Sequence, residues 1–164
     1  MTRNRLAGGA VVLTAALALV LQVMPSTAQV PITIEPLTPR SVFTDNVDLK
    51  LKVKEGEHRI VINDKDPSRT FTARITLQPG AKFPWHSHPG PVIVNVAAGE
   101  LTYQAVEKCT ELVYPAGTAF VDAGSGHAHT AWNSGDGETV LVATFFSAPQ
   151  EGDLLIPAEP HCGG

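Results

Sequence analysis

The chain has 164 residues, 43% of them hydrophobic and 17% charged, with 12 Lys and Arg against 16 Asp and Glu. That length suits one domain with a tail and speaks against two full-sized domains, and that hydrophobic content excludes a wholly disordered chain. A formal charge of −4, with no Lys/Arg cluster, argues against nucleic acid as a partner.

In chain order, the first feature predicted is an export signal. Arg3 and Arg5 form a short positive region, residues 6–23 are apolar apart from Gly8, Gly9, Thr14 and Gln22, and Pro25 ends the run. Ser26-Thr27-Ala28 then places small residues at the −3 and −1 positions of a cleavage site before Gln29. An apolar run of this length would just span a membrane as an uncleaved anchor, but the small-residue exit favours cleavage after Ala28. Arg3 and Arg5 are not adjacent, so a twin-arginine route is not indicated, and no Cys follows to accept a lipid. The expected mature chain, 29–164, keeps 10 basic residues against 16 acidic ones. It works outside the cytoplasm, with no membrane association after cleavage.

The next segment, 29–40, holds Pro31, Pro36 and Pro39 and reads as an extended arm. Beyond it the pattern is that of strands. Residues 48–53 alternate Leu49, Leu51 and Val53 with Lys50 and Lys52, and 71–77 put Phe71, Ala73, Ile75 and Leu77 on one face. Further β-rich runs are 59–62, 92–96, 100–106, 111–114, 118–121 and 138–146, separated by Gly-, Pro- and Asp-rich turns such as Pro79-Gly80, Ala98-Gly99 and Gly124-Ser125-Gly126. No stretch of 29–164 keeps helical apolar spacing for three turns. Short strands at this spacing predict an all-β sandwich or small barrel, here over residues 41–147, followed by a Pro/Gly-rich tail, 148–164.

Cys109 and Cys162 are the only cysteines, so just one intramolecular pairing is possible. In an exported protein a bridge is favoured over two free thiols. It would staple the tail to the segment carrying Cys109.

Four of the six histidines sit in two H-x-H pairs. His86-Ser87-His88 puts two imidazoles at i and i+2, which share a face on a strand, and His127-Ala128-His129 repeats the arrangement. Neutral imidazole is a common ligand of Zn, Cu, Fe and Ni. One such pair is weak, because paired surface or core histidines are common; two, each beside Gly-rich turns, point to a metal site. His58 and His161 lack such partners and read as surface residues, although His161 beside Cys162 could ligate were the thiol free.

The segment Gly80-Ala81-Lys82-Phe83-Pro84-Trp85-His86-Ser87-His88-Pro89-Gly90-Pro91-Val92, continuing to Gly99, resembles the first motif of the cupin superfamily, G-x5-H-x-H-x3-4-E-x6-G. Gly80, His86, His88 and Gly99 fall in register. The second motif, G-x5-P-x-G-x2-H-x3-N, is matched in part by Pro115-Ala116-Gly117 and by His129-Thr130-Ala131-Trp132-Asn133. Three departures stand out. Val92 replaces the motif's Glu, position 109 is Cys rather than Gly, and the gap from Gly117 to His129 is longer than the motif allows.

The resemblance implies a cupin-type jelly-roll β-barrel with a metal near one mouth, His86, His88 and His129 as ligands, and Asn133 as a structural residue. His127 remains an alternative or fourth ligand at this stage. Without the Glu, three neutral imidazoles leave a divalent ion's charge uncompensated. Such a site suits Fe, Cu, Zn or Ni and discriminates against oxygen-preferring Mg and Mn. A homodimer is a further expectation by analogy with the family.

Other residues near the motifs carry less. Trp85 and Trp132 fall on the opposite strand face from their histidine neighbours, Ser87 should point away from the site, and Pro89-Gly90-Pro91 reads as a bend that holds His88. Glu100 and Tyr103 lie on the strand after Gly99 with no orientation assigned, and Asp122 reads as a turn residue. Three functions follow: an exported metal-dependent cupin oxidoreductase of dioxygenase type, a non-catalytic cupin binding a small molecule or metal, or a structural cupin with a vestigial site.

Overall fold

A computed structural model describes residues 31–55, 58–160 and 162; the expected export signal, 1–28, lies outside them, as does His161. The strands in chain order are β1 (Ile32–Pro36), β2 (Ser41–Val42), β3 (Asp48–Glu55), β4 (His58–Lys65), β5 (Arg69–Leu77), β6 (His86–Ser87), β7 (Val92–Ala98), β8 (Glu100–Ala105), β9 (Glu111–Pro115), β10 (Ala119–Asp122), β11 (His129–Trp132), β12 (Thr139–Phe146) and β13 (Ile156–Pro157). No helix occurs among the described residues.

All strand pairs are antiparallel. One sheet runs β1-β5-β12-β7-β10, with β2 also on β5, and a second runs β13-β6-β11-β8-β9. The alternation read in the sequence sets which side faces inward. Ala73, Ile75 and Leu77 of β5, Val92, Val94 and Val96 of β7 and Leu141, Ala143 and Phe145 of β12 are buried against Leu101 of β8 and Ala131 of β11. The two sheets therefore share one core, the arrangement of a jelly roll. Each fully buried Leu or Val here stabilises the fold by about 1.5–3 kcal/mol relative to exposure.

The segment expected as an arm contributes β1, an edge strand paired with β5 from Ile32↔Leu77 to Pro36↔Ala73. Strands β3 and β4 form a separate hairpin, in which Leu51 faces Ile62 and Val53 faces Ile60. The tail also returns to the body. Strand β13 pairs with β6, Ala158 N donates to Trp85 O at 3.0 Å, and Cys162 is disulfide-bonded to Cys109 in the turn between β8 and β9.

Candidate metal centre

Strand β6 is only two residues long, between Pro84 and Pro89, because proline cannot donate to a ladder. It is held between β13 and β11, and its register with β11 places His129 directly across from His86. His86, His88 and His129 are all buried. The nitrogens they offer lie within 4.8 Å of one another. An ion bound to two imidazoles at about 2.1 Å holds their nitrogens up to about 4.2 Å apart, so a small side-chain adjustment lets three share one ion.

The outer nitrogens show which way the rings point. His86 Nδ1 lies 2.8 Å from Pro84 O, and His88 Nδ1 lies 2.7 Å from Leu154 O. A carbonyl only accepts, so each Nδ1 carries the proton and each Nε2 is left as a bare electron-pair donor. Burial, with His129 and His88 alongside, pulls the His86 imidazole down to about 3. Burial also lowers His88, against the opposing pull of Asp122 and the Leu154 carbonyl. Both rings are therefore neutral at ordinary pH, the form that binds a metal.

Behind His129 stands a carboxylate. Asp122 Oδ2 lies 3.0 Å from His129 Nδ1. The contact is short but off the N–H axis, so His129 Nδ1 makes no well-aligned hydrogen bond and faces the carboxylate at close range. Asp122 is 1% exposed. Its Oδ1 accepts from Gly124 N at 2.8 Å and its Oδ2 accepts from the Tyr103 hydroxyl at 2.7 Å. Burial alone would raise this carboxyl, but His129, His88 and the Tyr103 hydroxyl outweigh it and hold it below the usual carboxylate range. Burial and the adjacent Asp122 charge push the Tyr103 phenol well above its ordinary value, so it stays protonated. The Tyr103 ring stacks on His129 at 5.0 Å and packs against Phe120 at 5.1 Å.

The histidines open into a cavity of about 70 Å³, room for an ion and a few water-sized groups. Its walls are hydrocarbon, chiefly Phe71, Phe83, Leu101, Phe120, Phe145 and Leu154. Among the described residues, the polar side chains lining it are His86, His88, His129, Asp122 and Tyr103, with neither Lys nor Arg.

His127 stands apart from the cluster. It belongs to the turn that precedes β11, with its N–H donating to Gly124 O at 3.0 Å, so strand parity with His129 does not apply. Its ring is half-exposed and its Nδ1 contacts Glu107 Oε1 at 2.5 Å. The turn itself is tied to the other histidine pair: Ser125 N donates to His88 O at 2.8 Å. Gly124 has φ +59° and backs onto Gly90, where a Cβ would come within 1.9 Å of Gly90 O. Pro89-Gly90-Pro91 thus serves as the close-approach partner of this turn as well as a bend. The Gly117 turn, by contrast, joins β9 to β10.

The remaining candidates are placed as follows. Ser87 Oγ accepts from Gly126 N at 3.0 Å, away from the imidazoles. Asn133, buried, donates to Leu77 O at 3.0 Å and Gly137 O at 2.7 Å and accepts from Gly135 N at 2.9 Å, a structural role. Trp132 lies under the Lys82 ammonium at 4.6 Å, and the Trp85 carbonyl accepts from Ala158 N of the tail at 3.0 Å. Tyr103, given no orientation from the sequence, and Asp122, read there as a turn residue, both belong to the site. The available signal was parity: Phe120 and Asp122 share a face of β10, and an inward Phe takes its strand neighbour at i+2 inward with it.

Residues 73–145 match the family model described as the cupin domain. Among solved structures, an oxalate oxidase is 28% identical over 54% of this chain and 45% of its own, with a TM-score of 0.46. The cupin domain of an XRE-family transcriptional regulator from Enterobacter cloacae is 17% identical over 72% of this chain and 97% of its own, at 0.48. A variant of Bacillus subtilis oxalate decarboxylase is 22% identical over 46% of this chain and 21% of its own, at 0.42. The aligned regions thus cover less than half the length of these two oxalate enzymes. No curated protein sequence matches the chain.

Proposed function

Starting from a chain that belongs to the cupin superfamily, we propose that it is an exported protein that binds a divalent transition metal through His86, His88 and His129. We further propose that it uses the ion as an oxidoreductase of dioxygenase type on a small, largely apolar molecule. The observation that carries this reading is the convergence of three buried imidazoles whose Nδ1 atoms face acceptors on the outer side. Three nitrogen donors suit Fe, Cu, Ni or Zn and leave coordination positions open for other ligands. A bound Fe or Cu would supply one-electron chemistry there, which Zn does not. The chain's own residues orient the rings, exclude bulk water with aromatic walls and limit the substrate to a compact body. The Cys109–Cys162 bridge supports a site of action outside the reducing cytoplasm.

A second reading is a non-catalytic binder of a metal or small molecule. It is favoured by the mutual engagement of Tyr103 and Asp122, which leaves neither as an unpaired acid or base facing the cavity.

Elemental analysis of protein matured in an oxidising compartment tests the shared premise. Near-stoichiometric Fe, Cu, Ni or Zn is expected, and the His86→Ala/His88→Ala variant should carry none. Retention of the metal by that variant, or a metal-free wild type, overturns the proposal. Oxygen uptake with small apolar substrates separates the enzyme from the binder, for which a rise in Tm without turnover is the signature.

A further inference from the structure

We infer that Asp122 is the charge-compensating carboxylate of this centre: set behind His129 rather than on the ion, it supplies through that imidazole the negative charge that Val92 cannot. The inference rests on the metal-binding reading above.

Val92 lines the cavity and is 1% exposed, so the position that the superfamily motif gives to Glu is here a buried hydrocarbon. Three neutral imidazoles cancel none of a divalent ion's charge, and apolar walls screen it poorly. Among the described residues lining the cavity, Asp122 is the only carboxylate. In the β7–β10 ladder it pairs directly with Val92. The negative charge therefore enters at the same level of the barrel, from the neighbouring strand.

Its surroundings fix its orientation. Gly124 N occupies Oδ1, while Oδ2 is shared between the Tyr103 hydroxyl and the Nδ1 edge of His129. An isolated buried carboxylate is costly, and a turn-closing bond to Gly124 N needs only an amide oxygen. The full charge is of use where a cation would gain from it. A carboxylate on the outer nitrogen fixes the ring's tautomer and angle and raises its basicity toward a metal. Asp122 is thus a positioning residue, and Tyr103 steadies it by donating to Oδ2 and stacking on the ring it serves.

The test uses the full mature chain loaded with Co²⁺, its affinity measured by chelator competition. Asp122→Asn keeps the size and the bond to Gly124 N but removes the charge, and should weaken binding about 10- to 100-fold. Adding Val92→Glu to that variant, which returns a carboxylate to the cavity from the neighbouring strand, should recover at least about tenfold of the loss. A merely structural role would not be rescued from β7. Unchanged affinity in Asp122→Asn, or a loss that Val92→Glu leaves unrepaired, overturns the proposal. A second measurement needs no variant. In the Co²⁺-loaded wild type, the paramagnetically shifted His129 Nδ1–H resonance should be protected from solvent exchange, and its rapid exchange would also overturn the proposal. A wild type that fails to bind Co²⁺ at all overturns the metal reading itself, and this inference with it.

Discussion

The imidazole of His88 is held by the backbone of Leu154, whose carbonyl accepts its Nδ1 proton at 2.7 Å from 66 residues further along the chain. Leu154 also lines the cavity, so one residue of the tail both orients a candidate ligand and walls the space in front of it. The tail is fastened on either side of this contact. Arg40 donates to Pro149 O at 2.7 Å and Gly152 O at 2.6 Å, while β13 and the Cys109–Cys162 bridge hold the far end.

Opening that bridge should therefore act at two levels. Closing a loop of 53 residues stabilises the fold by about 4 kcal/mol on the chain-entropy account. Cys162→Ser should lower the urea midpoint correspondingly and weaken metal affinity by loosening the segment that holds His88. Unchanged metal affinity in a folded Cys162→Ser protein would show that Arg40 and β13 together suffice to fix Leu154.

Metal-free protein should lose stability as the pH falls below neutrality. The folded-state pKa of His86 is depressed to about 3, and that of His88 is also lowered, so below about pH 6.5 the unfolded chain binds protons that the folded chain refuses. The associated stability is fully present above that pH and declines as the pH drops toward 3. Asp122, held low in the fold, adds a further loss below its ordinary range. Urea midpoints at pH 7, 5.5 and 4 check this, and a flat profile would contradict it.

Leu101, 1% exposed on β8, is the point at which the second sheet fills the shared core. Leu101→Ala should cost about 2–5 kcal/mol through lost transfer energy and the cavity left behind. Denaturant titration measures it; a cost below 1 kcal/mol would mean that the walls collapse onto the gap.

Gly124→Ala combines two penalties. The backbone sits at φ +59°, and the new Cβ would collide with Gly90 O. A destabilisation of at least about 1–3 kcal/mol is expected, together with weaker metal binding, since this turn delivers His129. Thermal unfolding and chelator competition on the same variant check both effects.

Much of this architecture was legible in the sequence because long strands with one buried face advertise themselves. Strands β3 and β5 follow the predicted alternation, β7, β8 and β12 fall on the predicted β-rich runs, and the H-x-H of His86 and His88 shares a face as spacing requires. The short elements were not legible. Strands β1, β6 and β13 contain or adjoin prolines, and their pairing is decided by partners far away in sequence. The choice between His127 and His129 depended on where β11 begins, a boundary that a Gly-rich turn hides. Asp122 resembled a turn residue because one of its oxygens does close a turn, onto Gly124; its other oxygen meets side chains that only folding brings near.

Strand β6 meets β11 at a single residue pair, His86 with His129. The alignment of these rings is consequently set by strands that supply no ligand. Strand β8 grips β11 over four pairs, from Ala105 opposite His129 to Thr102 opposite Trp132, and β13 grips β6. A slip of one position between β8 and β11 would turn His129 to the other side of the sheet. The centre thus works as a vernier, and damage to ladders well away from it would first become visible as a misalignment of these rings.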